Sequence, residues 1–118
     1  MSGKLTEQEK RIRKLLLYIV REGSEELVEE LRAVLLRYPN KNLMKALIAI
    51  LEYGAPHNDF VCIEHTRFMA KTRKTFNVIR PILERLFETN WYRFTPGIPP
   101  KLCVLREVLE CLKRVLKT

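Results

Sequence analysis

The chain reads as a mainly α domain that carries a small β-ribbon near its C-terminal end. Three observations predict this. Apolar residues recur at helical spacings through most of the 118 residues. Leu, Glu, Lys and Arg are abundant and glycine occurs only four times, which favours helices. One aromatic run, Trp91-Tyr92-Arg93-Phe94, breaks the helical period and leads into a Pro/Gly-rich loop. The length suits one domain, 1–118, with a real core. A hydrophobic content of 47% argues against wholesale disorder.

Each element has its own signal. Thr6-Glu7-Gln8-Glu9 is a capping box: the Thr hydroxyl reaches the Glu9 amide and the Glu9 carboxylate reaches back. A helix follows, with Ile12, Leu15, Leu16, Ile19 and Val20 on one stripe, and Gly23 supplies the left-handed stop. Ser24 caps a second helix whose first turn holds Glu25 and Glu26. Leu27, Val28, Leu31, Val34 and Leu35 form its stripe, and it stops before Pro39. This pair, 6–37, precedes the rest of the domain. Asn40 or Asn42 caps a third helix that is apolar nearly all round at Leu43, Leu47, Ile48, Ile50 and Leu51, so it is expected to be central. Gly54-Ala55-Pro56 ends it, and the Gly54–Asp59 turn is too short to be a flexible linker.

Phe60-Val61-Cys62 suits either a strand or a helix start. Glu64 to Lys71 reads as a short helix with Phe68 and Met69 facing inward, followed by the polar turn Thr72-Arg73-Lys74-Thr75. Val78, Ile79, Ile82, Leu83 and Leu86 then form a helical stripe. Pro81 costs about 3 kcal/mol deep in a helix, so regular helix is expected from Asn77 onward, which would keep the proline close to the first turn. Residues 91–94 read as a strand, Thr95–Pro100 as a loop and Lys101–Val104 as a returning strand. A last helix, 105–118, carries Leu105, Val108, Leu109, Leu112, Val115 and Leu116 at helical spacing.

Charge narrows the partner. The net charge is +8, and most of the excess lies in the second half: residues 1–56 contribute +2 and residues 57–118 contribute +6. Such an excess favours acidic partners such as nucleic acid. Between His65 and Leu83 the charged residues are Arg67, Lys71, Arg73, Lys74 and Arg80, with no acid among them. With the hydroxyls of Thr72 and Thr75 they make a candidate phosphate-binding set. Asn77 and Arg80 are candidates for reading base edges, because amide and guanidinium groups match adenine and guanine bidentately. The competing reading is a solvated basic face.

The order of helix, turn, short helix, polar turn, amphipathic helix, aromatic strand, Pro/Gly loop and strand resembles the winged helix-turn-helix domains of transcription regulators. Phe68-Met69-Ala70-Lys71-Thr72 is similar to the end of their second helix. Arg80-Pro81-Ile82-Leu83-Glu84-Arg85-Leu86 is similar to the end of their recognition helix, and Thr89-Asn90-Trp91-Tyr92-Arg93-Phe94 to the entry to their wing. The resemblance covers 43–104. It implies double-stranded DNA as partner, a wing tip at Thr95–Pro100 flanked by Arg93 and Lys101, and a terminal helix, 105–118, through which two copies pair as a homodimer. The alternative is an all-helical assembly subunit with a basic surface, of a ribonucleoprotein, virus or plasmid. A two-stranded ribbon at 91–104 favours the regulator; an unpaired loop there favours the bundle.

Other chemistry has little support. No phosphate loop, dinucleotide turn or paired-carboxylate motif is present, so no enzyme, cofactor or metal site is expected. Cys62, Cys103 and Cys111 match no zinc spacing and read as buried small hydrophobes in a reducing compartment. Cys62 beside Glu64-His65 is only weakly a nucleophile pair, since nothing orients it. His57 and His65 read as ordinary histidines. Trp91 and Tyr92 read as packing beneath the ribbon in preference to base stacking. A polar N-terminus and the lack of a long apolar run predict a cytoplasmic location with no membrane contact. Scarce glutamine beside many Lys, Arg and Glu points weakly to a thermophilic source.

Overall fold

The computed structural model describes residues 5–37 and 40–116. Among these, the chain forms helices α1 (Glu7–Glu22), α2 (Glu25–Arg37) and α3 (Lys41–Tyr53), strands β1 (Ala55–His57) and β2 (Phe60–Glu64), and helices α4 (His65–Thr72) and α5 (Phe76–Leu86). A short 3-10 turn at Thr89–Trp91 leads to β3 (Tyr92–Thr95), β4 (Lys101–Leu105) and α6 (Arg106–Leu116). The architecture is mainly helical, with one antiparallel sheet in the order β1-β2-β4-β3. It is therefore not all-helical.

The caps form as their residue types dictate. The Glu9 amide donates to Thr6 Oγ1 at 3.1 Å and the Thr6 amide donates to Glu9 Oε1 at 2.9 Å. Gly23 ends α1 with φ 66°, donating its N–H to Ile19 O. Asn40 caps α3 by accepting from the Leu43 amide at 3.0 Å. The expected stop at Pro39 lies outside the described residues.

The core is one cluster that takes residues from all six helices and from the sheet. Ile19, Val28 and Leu31 from the first two helices join Val108 of α6 in this core, and each is at most 1% exposed. Arg32 of α2 donates to the Val115 and Arg114 carbonyls, closing the end of α6. Val108, Leu109, Leu112 and Val115 are all buried. Most of the apolar stripe of α6 thus packs within its own chain, with Leu105 and Leu116 half-buried at its ends.

The sheet differs from the expected two-stranded ribbon. Residues 60–64 resolve as a strand, and 55–57 form a hairpin strand on it in place of a plain turn. Gly54 lets this happen. A Cβ there would lie 2.5 Å from Ile50 O and 2.7 Å from Val61 Cγ1, so only glycine fits between the end of α3 and β2. Leu105 closes β4 instead of opening α6.

Three other placements depart from the sequence reading. Thr75, not Asn77, precedes α5, so Pro81 sits two residues deeper in the helix than expected. Met69 is 41% exposed and does not face inward. Ile48 of α3 is 42% exposed, so that helix keeps one open side. Trp91, at 6% exposure, packs against Phe87 as anticipated.

Two predictions follow from this packing. Leu109→Ala should lower the unfolding free energy by about 2–5 kcal/mol, equally at low and high protein concentration in urea melts. A cost that grows with concentration would place Leu109 between copies. The second concerns Glu9, which accepts two hydrogen bonds from Arg85, at 2.8 and 2.5 Å. That guanidinium, chiefly, holds the Glu9 carboxyl down at about 2, from an ordinary 4.5. A depressed carboxyl stabilises the fold above its unfolded value and loses that contribution as pH falls. Stability should therefore drop between pH 4.5 and about 2, and Glu9→Gln should flatten this part of the acid profile.

Candidate nucleic-acid interface

The α4–α5 turn is tight because its side chains build it. Phe68 and Thr72, buried on α4, stack the helix against the core. The Thr72 hydroxyl donates to Phe68 O at 2.8 Å and accepts from the Lys74 amide at 3.1 Å. Thr72 is only 6% exposed. It is a structural residue of the turn and cannot present its hydroxyl to a phosphate, contrary to the sequence reading.

Arg73 takes the left-handed position that ends α4, at φ 59°, where glycine is the unstrained choice. Its amide donates to Met69 O at 2.8 Å. Thr75 then opens α5 with no capping bond from its side chain, so its exposed hydroxyl stays beside the N-terminal amides of that helix. One of those amides, of Phe76, donates to His65 Nε2 at 3.3 Å, and the two rings lie 4.4 Å apart. His65 is a structural histidine of this junction.

Asn77 and Arg80 are exposed on α5. The Arg80 guanidinium lies 4.0 Å from the centre of the Phe94 ring, which ties α5 to β3 by a cation–π contact. Around this contact a shallow cavity of about 260 Å³ runs between α5 and the β3–β4 hairpin, touching Asn77, Arg80, Thr95 and Pro96.

The remaining cations are placed elsewhere. Strand alternation turns Tyr92 and Phe94 toward the helices and Arg93 and Thr95 to the opposite face. Arg93 pairs in register with Cys103 and Cys103 with Cys62; Thr95 pairs with Lys101 and Lys101 with Glu64. These residues share the outer face of the sheet. Arg67, Arg93 and Lys101 line a groove of about 530 Å³ there. Lys71 leans over Tyr53 on its rim, 4.3 Å from the ring centre. The sequence reading grouped Arg67 and Lys71 with the α5 cations. The structure divides the set in two, with Thr95 bordering both cavities.

Six cations of the first two helices, α5 and α6 are neutralised by carboxylates, whereas the candidate residues are not. Lys10, Arg11, Arg13, Arg32, Arg85 and Arg114 each meet a carboxylate: Glu7, Glu30, Glu88, Glu29, Glu9 and Glu25 respectively. Among the described residues, none of Arg67, Lys71, Arg73, Lys74, Arg80, Arg93 or Lys101 forms an ion pair. Glu7, Glu9, Glu25, Glu29 and Glu30 of α1 and α2 pair with cations other than this set.

The cysteines correct the sequence reading most. Cys62 and Cys103, opposite each other on β2 and β4, form a disulfide across 41 residues of chain. They are not free small hydrophobes, and Cys62 has no thiol to act beside His65. Spacing could not reveal this; only the strand register brings the pair together. With it goes the argument for a reducing compartment. Cys111 remains a half-buried thiol on α6, and burial pushes its pKa up. Among the described residues no cluster of three His, Cys, Asp or Glu could hold a metal ion, and no helix is long and apolar enough to cross a membrane.

Closing a loop of this length supplies about 2–4 kcal/mol. Cys62→Ala/Cys103→Ala should lose about that much in denaturant melts, and dithiothreitol should reproduce the loss in the parent protein but not in the variant. Comparison with known proteins adds no relative: no family model, no curated protein and no solved structure matches the chain.

Proposed function

We propose that this chain is a small double-stranded-DNA-binding protein of the winged helix-turn-helix type, acting as a transcriptional regulator. In this reading α5 enters the major groove, which is about 12 Å wide and admits one helix. The β3–β4 hairpin serves as the wing. Arg73, Lys74 and Thr75 hold phosphates at the α4–α5 turn, and Asn77 and Arg80 meet base edges. Arg93 and Lys101, with Arg67, lie on the outer face of the sheet away from α5, and this duplex contact does not need them.

The observation that carries the reading is the clustering of cations on α4, the turn and α5, a stretch that contains no acid from His65 to Leu83 and none of whose cations meets a carboxylate in an ion pair. Lys and Arg that neutralise phosphates release the counterions condensed on the duplex, and this drives association. Two features add support. Arg73 occupies a left-handed position at a cost that glycine would avoid, which argues that its side chain is wanted there. Residues 92–95 pair with 101–104 as a ribbon, the arrangement that separates this reading from a helical assembly subunit.

The reading keeps two further parts. A twofold dimer through α6 would use the polar outer side of that helix, Glu107, Glu110 and Lys113, because most of the apolar side is occupied. A cytoplasmic location is compatible with the disulfide if the source is thermophilic, since intracellular proteins of hyperthermophiles carry disulfides.

Titration of duplex DNA across a salt series tests the proposal. Arg73→Gly should leave stability unchanged or raise it by up to about 1 kcal/mol, yet weaken binding to every duplex and flatten the salt slope by about one unit. Lys74→Ala should flatten it similarly. Asn77→Ala should cost about 1–3 kcal/mol at one base position only. Binding that ignores all three substitutions, or prefers single strands throughout, would sink the reading.

A further inference from the structure

We infer that the groove on the outer face of the sheet is a separate binding site for the phosphate dianion of a small phosphate ester. Arg67 reaches it from α4, Arg93 from β3 and Lys101 from β4, so three elements converge on one concavity. Glu64 is the one carboxylate among its lining residues. It faces Lys101 in register but closes no ion pair with it. Three cations against one acid leave a local charge of +2, which complements a phosphomonoester carrying close to two negative charges at neutral pH. Two guanidinium forks and one ammonium are also the donor set that phosphate oxygens take best.

Shape and chemistry favour a small ligand over a nucleic-acid strand. The groove holds about 530 Å³, within the range of small-molecule sites. A duplex cannot enter it and could touch only the rim. Its neighbouring aromatic faces are already covered: Arg93 lies 4.2 Å over Phe60 and Lys71 lies 4.3 Å over Tyr53. These contacts occupy ring faces that would otherwise be offered for base stacking. The floor is the Cys62–Cys103 bridge, which joins the two strands covalently and holds Arg93 and Lys101 on a preformed surface. The site does not depend on α5 and stands or falls apart from duplex binding.

Inorganic phosphate is the probe, titrated at constant ionic strength into the ¹⁵N-labelled full chain and followed by amide shifts. Saturable changes confined to the strands of the groove and the first turn of α4 are expected. Arg67→Gln and Arg93→Gln should each weaken binding about tenfold, whereas Arg73→Gln and Lys74→Gln should leave it unchanged. Glu64→Gln should tighten it several-fold by removing the opposing charge, a gain that misfolding cannot imitate. Three results would overturn the inference. One is shifts that never saturate and spread over the whole basic surface. Another is indifference to Arg93→Gln and Glu64→Gln together. The third is displacement of phosphate by duplex DNA, with groove variants weakening the duplex as much as turn variants do. That last result would assign the groove to the nucleic-acid backbone.

Discussion

The fold depends on β4 having to satisfy both of its faces and both of its edges at once. Its edges pair with β2 and β3. Its inner face, Leu102 and Val104, is fully buried against the helical core. Its outer face presents Lys101 and Cys103, one charged and one bonded to β2. A period of two makes this division unavoidable. A slip of one residue would drive Lys101 into the core and expose Leu102. Register on this strand therefore decides which side of the sheet carries charge.

Charge segregation extends the same logic over the rest of the molecule. A single surface ion pair is worth little. The six among the described residues matter through what they leave behind. They gather the first two helices, the end of α5 and the end of α6 into a region where acids and bases cancel. A cluster of cations outside these pairs is left around the α4–α5 turn and the hairpin. The proposed duplex surface and the proposed phosphate groove both draw on that remainder, from opposite sides of β3.

Local signals in the sequence were legible where a short-range physical rule governs them. The Thr6–Glu9 capping box, the left-handed Gly23 and the Asn40 cap depend on neighbours three or four residues away, and all form. The apolar stripes of α1, α2 and α6 marked the core because burial follows helical period. What stayed hidden depends on distant partners. Residues 55–57 are exposed and contain a proline, and they become a strand only because β2 lies beside them. The Cys62–Cys103 bond needs strand register, which no spacing encodes. Thr72 looked available because Thr is usually a surface residue, yet its hydroxyl is needed by two backbone groups of its own turn. In the candidate site the residue types were readable and their division between two faces was not. That division comes from β3 alternation and from where α4 docks.

The contacts between α1 and α5 have a consequence for how the domain is bounded. Glu9 grips Arg85, while Arg13 donates to Arg85 O at 3.0 Å and pairs with Glu88. Both ends of this clasp lie outside the proposed duplex surface, yet they fasten the C-terminal end of α5 to α1. The first helix thus acts as a splint. A fragment trimmed to the stretch from α3 to β4 would keep every candidate contact residue and lose the brace on α5.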